Sequence, residues 1–230
     1  MFRPDAFSSL PETCALGRPR RRVAIVGNAP EVGDHAAAID SADIVVRFNN
    51  THGLGGVTGN RTTYLFLINS GGQMREWLDD PRFCERKAVR EADTIYLPID
   101  PAHIDRFDPP ASAAERVGAA AEDHTAEAVA RLHGAGKRVV IMPAREFAAS
   151  CERIGTDLRV GMAPPSTGYL ATRYFVDTLG AAGCRIEAYG FGFEGYHGHA
   201  WDRERRWFQR LVRDGRLALI PLAGEVAAAA

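Results

Sequence analysis

RVAIVGNAP, residues 22–30, is the stretch that decides the fold. Its apolar run is bounded by Arg22 and Gly27, which indicates a buried strand that leads into a turn. Ligands of open α/β sheets bind where strands end, and Asn28 offers both a donor and an acceptor there. The G-x-G-x-x-G fingerprint of nicotinamide cofactors is missing. The stretch therefore predicts either a ligand-binding strand end or an ordinary βα turn, and both interpretations stay open at this point.

Apolar runs and amphipathic stretches alternate along the rest of the chain. The last predicted helix carries Trp207, Leu211 and Phe208 on one face. Strands that alternate with helices predict an α/β, Rossmann-like domain with a largely parallel sheet flanked by helices. The further predicted strands cover residues 43–49, 62–69, 94–99, 138–143, 185–191 and 216–221, and the predicted helices cover 123–136, 166–183 and 201–215.

The ends of the chain differ from this regular middle. We predict an irregular basic arm over residues 1–21, a single domain over 22–222 and a tail over 223–230. The arm ends in RPRRR, which is either a solvated tail or a contact for an acidic polymer or a membrane surface. Residues 99–121 are irregular and are interpreted as a long loop that could act as a lid.

Bulk composition narrows the classes of function and location. The 230 residues carry a net charge of -1, which gives no general case for nucleic-acid binding. No run of eighteen apolar residues occurs, and the N-terminus lacks the apolar core of a signal peptide. The four cysteines are far apart in sequence, so we expect reduced thiols. The expected location is the cytoplasm, with peripheral membrane contact through the basic arm as an option.

Polar residues cluster where predicted strands end and one helix begins. Arg47 and Asn49 share one face at the end of a strand, which fits either a ligand contact or a cap for loop backbone. Arg61 follows a Gly-Asn turn, and taken alone that segment favours a solvated side chain. Ser166, Thr167 and Gly168 follow two prolines and open a helix, so they predict either a plain N-cap or an anion site for a phosphate or carboxylate.

The loop GYHGHAWDRE, residues 195–204, holds two histidines. An imidazole with an unperturbed pKa of about 6.5 is the natural proton acceptor at neutral pH. A metal site would also need Glu194, Asp202 or Glu204, but the spacing matches no recognised zinc pattern, so we expect no metal. A solvated loop is the remaining alternative.

Taken together and in this order, the motifs resemble those of the sialyltransferases of glycosyltransferase family 29. VAIVGNAP, IDSADIVVRFNN and VTGNRTTYLF follow one another as in the large sialyl motif of that family. PPSTGYLATRYF leads to CRIEAYGFG as in the small motif, and His199 precedes Glu204 at the spacing of the last motif. The resemblance covers about residues 22–215 and extends to bacterial sialyltransferases with a related CMP-binding core.

The resemblance implies a variant GT-A-like fold and a function. The activity would be inverting, metal-independent transfer of sialic acid or a related 2-keto sugar acid, such as Kdo, from a CMP-linked donor to a glycan or glycolipid acceptor. The CMP-sugar is a co-substrate, and no cofactor is implied. Alternatives are a non-catalytic nucleotide-binding or polysaccharide-assembly protein, and a related transferase that uses another nucleotide sugar.

The resemblance also implies roles for individual residues. His199 would be the general base, and Glu204 would position the loop or the imidazole. Asn28 and Asn49 would contact the nucleotide and its phosphate, while Ser166, Thr167 and Gly168 would hold the donor's carboxylate or its ribose-phosphate region. His197 is the nearby candidate for a histidine that contacts the phosphate. Val23 replaces the cysteine of the large motif, so the family disulfide to Cys184 cannot form, which fits a reducing compartment.

Overall fold

The computed structural model describes residues 20–104 and 122–224. The expectations for residues 1–19 of the basic arm, for residues 105–121 of the long loop and for residues 225–230 of the tail lie outside this part of the chain.

A parallel sheet forms the centre of the described chain. Its strands lie in the order β5-β4-β3-β2-β1-β6-β7, and every neighbouring pair is parallel. Each predicted strand is present but shorter than expected, the third and the last most of all. The predicted α/β, Rossmann-like class is confirmed. The strands are β1 (Arg22–Val26), β2 (Ile44–Phe48), β3 (Tyr64–Phe66), β4 (Thr94–Leu97), β5 (Arg138–Ile141), β6 (Arg185–Tyr189) and β7 (Ala218–Leu219).

The strand order reverses next to β1. From β1 the chain builds outward through β2 to β5, and it then crosses back to add β6 on the other side of β1. In register, Val23 of β1 lies between Ile44 of β2 and Ile186 of β6. A crevice forms in such sheets at the carboxyl ends of the strands that flank the reversal, which here are β1 and β6.

Helices cover both faces of the sheet. All three predicted helices are present in shorter form, and the other described helices were not among the predicted ones. The helices are α1 (Ala36–Asp40), α2 (Gly71–Asp79), α3 (Lys87–Glu91), α4 (Pro101–Ile104), α5 (Thr125–Gly134), α6 (Ala144–Ile154), α7 (Thr167–Phe175) and α8 (Trp201–Arg213). A π-helical turn, Val176–Gly180, continues α7, and 3-10 turns occupy Phe83–Glu85 and Leu158–Val160. Within the described ranges, none of the helices combines the length and the apolar character needed to cross a membrane.

Strand alternation divides the core between the two faces. Val23 and Ile25 pack in one cluster with α7 and α8, whereas Ala24 and Val26 pack in another with Ile39 of α1. A third cluster, built around Trp77 and Leu132, covers β3 and β4 with α2 and α5. The buried face of α8 consists of Trp207, Phe208 and Leu211, as predicted, and also includes Glu204.

Two arginines, Arg47 on β2 and Arg61 in the loop before β3, stabilise the fold. The side chain of Arg47 is fully buried and donates from Nε to the carbonyl of Arg61 at 2.9 Å and from a terminal nitrogen to Thr58 Oγ1 at 3.0 Å. Arg47 is therefore the loop cap that the sequence left as one of two alternatives. Arg61 is exposed but not merely solvated, because it donates to the backbone carbonyls of Asp40, Ala42 and Asp43.

Three cysteines lie in the described part of the chain. Cys84, Cys151 and Cys184 form no disulfide with one another. Burial raises the pKa of the Cys151 thiol to about 11, so that group is protonated at neutral pH.

Candidate functional site

A cavity of about 370 Å³ lies at the carboxyl ends of β1, β2 and β6, where the strand order reverses. This volume falls in the range of small-molecule sites. The loops after these three strands, the start of α7 and the loop before α8 form its walls. Its lining residues are Gly27, Asn28, Ala29, Pro30, Phe48, Asn49, Gln73, Ser166, Thr167, Gly168, Gly190, Phe191, Gly192, Phe193, Glu194, Gly195, Tyr196, His199 and Trp201.

The floor of the cavity depends on a close approach of two glycines. Gly27 donates its N–H to Tyr189 at 2.7 Å, and Ala29 donates to Gly190 at 3.1 Å, so the loops continue the pairing of β1 with β6. A Cβ on Gly27 would lie 2.0 Å from the carbonyl oxygen of Gly190. Gly190 itself has φ +67°, a region that favours glycine. Both glycines are therefore needed for this geometry.

The two asparagines line the cavity and also bind its framework. Asn28 donates from Nδ2 to the carbonyl of Phe48 at 3.0 Å and accepts from the N–H of His52 at 2.8 Å. Asn49 has φ +53° and accepts from the N–H of Ile68 at 3.0 Å. These hydrogen bonds connect the segments that follow β1, β2 and β3. Both side chains also line the cavity.

The N-terminus of α7 opens into the cavity. Ser166 is the N-cap, and its hydroxyl accepts from the N–H of Tyr169 at 3.2 Å. The N–H groups of Thr167 and Gly168, which precede Tyr169 in the first turn, donate to no acceptor among the described residues. A Cβ on Gly168 would lie 2.9 Å from the ring of Phe48, so the helix can reach this position because residue 168 has no side chain. Free amides at a helix N-terminus form an anion site.

The carboxylate of Glu204 binds Ser166, the N-cap of α7. Its carboxylate accepts from the N–H of Ser166 and from the hydroxyl of Ser166, both at 2.7 Å. Glu204 is only 2% exposed and does not line the cavity. Its carboxylate therefore fixes Ser166 at the start of α7 and does not face the cavity. The hydroxyl of Ser166 donates to Glu204 and accepts from the N–H of Tyr169, so both of its hydrogen bonds are made within the protein.

The environment of Glu204 changes its ionisation. Burial raises the pKa of the Glu204 carboxyl to about 7, although the two hydrogen bonds from Ser166 favour the ionised form. The Glu204 carboxyl therefore titrates near neutral pH in the folded protein.

His199 presents one ring nitrogen for chemistry. Its Nδ1 lies 3.2 Å from the carbonyl oxygen of Pro164. A carbonyl can only accept, so Nδ1 carries the proton and Nε2 of the neutral ring keeps its lone pair. Burial lowers the pKa of His199, which keeps the imidazole neutral at pH 7. The rings of Tyr196 and Trp201 lie edge-on to the imidazole, at 5.3 and 5.1 Å between centroids, and fix its orientation.

His197 is placed differently from His199. It is exposed, it contacts the ring of Tyr196, and it lies outside the lining of the cavity. Eight residues were given roles by the resemblance. The structure brings six of them together around one cavity and leaves Glu204 and His197 outside its lining; the six are Asn28, Asn49, Ser166, Thr167, Gly168 and His199.

The wall formed by the loop after β6 is aromatic and strained. Phe193 has φ +54°, which is rare for a bulky side chain, and its ring packs on Phe208 at 4.9 Å. The guanidinium of Arg205 lies over the outer face of the Phe193 ring. Within residues 20–104 and 122–224, no lysine or arginine lines the cavity, and no group of three or more His, Cys, Asp or Glu side chains is arranged to hold a metal ion.

Several lining residues were not predicted. Tyr196 and Trp201 stand in the histidine loop itself, so their position beside His199 gave a usable signal. Phe191 and Phe193 follow β6 in the same way that Asn28 follows β1, and strand-end position could have indicated them. Gln73, on α2, carries no local signal because α2 reaches the cavity only through the fold.

Comparison of the sequence with known families and proteins gives two results. No family model matches the chain. The chain is similar in sequence to the urease operon 23 kDa accessory protein of Rhizobium meliloti (strain 1021), with 32% identity over 212 residues, which cover 86% of this chain and 91% of that protein.

Solved structures share the fold at low sequence identity. A mammalian sialyltransferase has a TM-score of 0.53 and 18% identity, covering 87% of this chain and 69% of that one. The monofunctional alpha-2,3-sialyltransferase Cst-I from Campylobacter jejuni has a TM-score of 0.52 and 10% identity, covering 90% of this chain and 78% of that one. At these identities the likeness shows the fold alone, whereas the sequence match extends over most of both proteins. The chain therefore belongs to the family of the urease operon 23 kDa accessory protein of Rhizobium meliloti.

Proposed function

We propose that this protein is an inverting glycosyltransferase that moves a sialic acid, or a related 2-keto sugar acid such as Kdo, from a CMP-linked donor to a hydroxyl of a glycan. One observation carries the proposal: the cavity at the strand reversal combines a helix N-terminus that has free N–H groups with a neutral imidazole whose Nδ1 is protonated. The first feature suits the anionic donor, and the second suits proton removal from the acceptor. The likeness in fold to two sialyltransferases is consistent with this function.

The charge of the cavity favours a donor with a single phosphate. The N-terminus of α7 supplies a partial positive charge of about half a unit, which complements one phosphate or one carboxylate. In the described part of the chain, the lining adds no lysine or arginine that would neutralise a second phosphate. CMP-linked sugars leave with one phosphate, unlike sugars carried by UDP or GDP. The amides of Thr167 and Gly168 would hold the phosphate or the donor carboxylate, and the free parts of Asn28 and Asn49 would contact the nucleotide.

His199 would act as the general base. Its Nε2 takes the proton of the acceptor hydroxyl while the oxygen of that hydroxyl attacks the anomeric carbon of the donor. The bond from the anomeric carbon to the CMP phosphate oxygen breaks, and CMP leaves with the bonding electron pair. The anomeric configuration is inverted, and the proton stays on the imidazole until solvent removes it. Pro164 supports the step, because its carbonyl oxygen holds the Nδ1 proton and stabilises the imidazolium.

The proposal also covers cofactors, domain bounds and the acceptor. No metal and no cofactor take part, and the CMP-sugar is a co-substrate. Residues 22–222 form the transferase domain, and the acceptor is a glycan or glycolipid.

A donor panel tests the proposal. Purified protein is incubated with CMP-Neu5Ac or CMP-Kdo and a mixture of saccharide acceptors, and CMP release is scored for the wild type and for His199→Gln. Glutamine keeps a polar side chain of similar length but cannot take a proton. We expect release from one of the donors by the wild type and loss of release in the variant. Equal release by both proteins would remove His199 as the base, and no release from either donor would refute the proposed donor class.

The family membership favours a second candidate function, a contribution to urease formation in cells. This candidate rests on the 32% identity to the accessory protein of the urease operon. Urease activity in a deletion strain, complemented with the wild type or with His199→Gln, separates the two candidates. Full restoration by the variant would support an accessory role that does not use the proposed base. Unchanged urease activity in the deletion strain would contradict the second candidate.

A further inference from the structure

The outer face of α8 carries a row of arginines. The segment RRWFQRLVR, residues 205–213, holds four arginines and no acid. Its tryptophan, phenylalanine and leucine are buried, so the helix turns its opposite side to solvent. Arg206, Arg210 and Arg213 are exposed and follow one another at spacings of four and three residues. These spacings place the three side chains, which we call the arginine row, next to one another along about 10 Å of the exposed side.

The arginine row takes no part in holding the fold together. Among the described residues, none of its three side chains forms an ion pair or a hydrogen bond. Exposed acids stand at the two ends of the helix, at Asp202 and Asp214, and neither pairs with the row. The whole chain has a net charge of -1, so the positive charge of this face is a local feature.

The other arginines of α8 are used within the protein. Arg203 donates to the carbonyl oxygens of Ile154 and Gly155 at 3.2 and 2.9 Å. Arg205 donates to the carbonyl oxygen of Gly192 at 3.3 Å. The contrast shows that the three arginines of the row are free to meet an external partner, whereas their two neighbours stabilise loops around the helix.

Exposed apolar side chains accompany the arginine row. Four large hydrophobic residues of the described chain are exposed, and Val212 and Tyr196 are two of them, at 42% and 53%. Val212 belongs to α8 itself. Tyr196 is fixed next to the start of the helix, because its carbonyl oxygen accepts from the indole N–H of Trp201 at 2.9 Å.

A third exposed apolar residue lies on a segment that runs beside the start of α8. The segment begins after Gly155, whose carbonyl binds Arg203, and it ends at Pro164, whose carbonyl contacts His199. Its Val160 is 71% exposed, more than any other large hydrophobic residue of the described chain. The surroundings of α8 therefore combine unpaired positive charge with apolar groups that face solvent.

We propose that the outer face of α8 is a docking surface for a membrane of anionic phospholipids. Planar guanidinium groups bind phosphate oxygens in pairs, and an anionic lipid surface attracts clustered arginines. Tyrosine and aliphatic side chains enter the boundary between headgroups and acyl chains. An acidic protein segment would satisfy the arginines but would leave Val160, Val212 and Tyr196 without an apolar layer, so the combination favours a bilayer.

Docking through this face would bring the cavity close to the lipid headgroups, because Trp201 at the start of α8 is one of its lining residues. The docking surface does not depend on the proposed transferase function, since none of the three arginines of the row lines the cavity.

The test compares two triple variants of the full chain with the same change in charge. Arg206→Gln/Arg210→Gln/Arg213→Gln removes the arginine row. The matched control, Arg82→Gln/Arg90→Gln/Arg138→Gln, removes three exposed arginines on or near the elements around β4 and β5, at the other edge of the sheet from β6 and β7. Circular dichroism during heating checks that all three proteins are folded.

Each protein is sedimented with phosphatidylcholine vesicles, with and without phosphatidylglycerol, at two ionic strengths. Binding to labelled polyglutamate, which stands for an acidic protein partner, is measured by fluorescence anisotropy. We expect the wild type and the control to bind the vesicles that contain phosphatidylglycerol, and more weakly at the higher ionic strength. The row variant should bind about 10²-fold more weakly, roughly fivefold for each arginine.

The proposal is overturned if the wild type does not sediment with anionic vesicles, or if the control loses as much binding as the row variant. It is also overturned if the row variant binds as tightly as the wild type, since another part of the chain would then hold the lipid. Binding to polyglutamate without binding to vesicles would replace the membrane with an acidic protein partner. CMP binding, measured in parallel, should be equal in all three proteins. A wild type that binds vesicles but not CMP would contradict the transferase proposal and leave the docking surface supported.

Discussion

The replacement Glu204→Gln tests how the protein holds the helix end that faces the cavity. Glu204 is buried, and burial raises its pKa from an ordinary 4.5 to about 7. A carboxyl group whose pKa is higher in the folded state binds its proton more tightly there than in the unfolded chain. Its contribution to stability is therefore greatest below pH 4.5 and is lost as the pH rises to about 7. The shift corresponds to about 3 kcal/mol in the free energy of unfolding.

The glutamine of this variant cannot ionise, but it keeps one oxygen for the N–H of Ser166 and an amide group opposite the Ser166 hydroxyl. The free energy of unfolding is measured by urea titration, with tryptophan fluorescence, for both proteins between about pH 4.5 and pH 8. Other titrating groups cancel in the difference between wild type and variant. The free energy of unfolding of the wild type minus that of Glu204→Gln should fall by about 3 kcal/mol from pH 4.5 to pH 8.

A companion variant checks the cause. Ser166→Ala removes the hydroxyl that donates to the carboxylate, so it should raise the pKa of Glu204 further and move the transition to higher pH. The reasoning would be refuted if the difference in the free energy of unfolding between wild type and Glu204→Gln stayed constant within about 0.5 kcal/mol over this pH interval. Glu204 would then ionise as freely in the folded protein as in the unfolded chain.

Three other predictions concern the cavity. His199→Ala should keep the fold and CMP binding but lower transfer by about 10²- to 10⁴-fold in a CMP-release assay. The wild-type rate should rise with pH only below neutrality, because burial lowers the pKa of His199, the proposed base. A transfer rate of the variant close to that of the wild type would contradict this role. Gly27→Ala should lower the free energy of unfolding by about 1–3 kcal/mol in urea titration, because the Cβ of the alanine would meet the carbonyl of Gly190. An unchanged midpoint would show that the loops after β1 and β6 can move apart. Transfer should survive excess EDTA; loss that one divalent ion restores would overturn the metal-free mechanism.

Much of the fold follows from local pattern. Apolar runs indicated every strand of the sheet. The inner strands β1, β2 and β4 are buried, and strands buried on both faces read as continuous hydrophobic segments. Helix α6 was missed because two of its four buried positions are Ser150 and Cys151, which weaken the apolar periodicity around Phe147 and Ile154. Strand order was not predicted, since the return of the chain to β6 depends on contacts between distant segments.

The candidate site was predictable where it depends on strand ends and a helix start. Asn28, Thr167, Gly168 and His199 meet around one cavity because parallel strands end at the same edge. The role of Glu204 was visible only in part. Its spacing from Trp207, Phe208 and Leu211 places it on the buried face of α8, but its partner Ser166 is 38 positions away. The contact between the carbonyl of Pro164 and Nδ1 of His199, which sets the tautomer of the imidazole, could not be predicted from the sequence.

Calorimetric titration of the protein with CMP tests the central claim most directly, namely that the cavity at the strand reversal is a cytidine nucleotide site. We expect saturable binding of one CMP per chain, and binding at least about tenfold weaker, equivalent to about 1.4 kcal/mol, for Gly168→Ala, whose Cβ would meet the ring of Phe48 and shift the helix end. No binding of CMP by the wild type at millimolar concentration, or equal binding by both proteins, would contradict the claim.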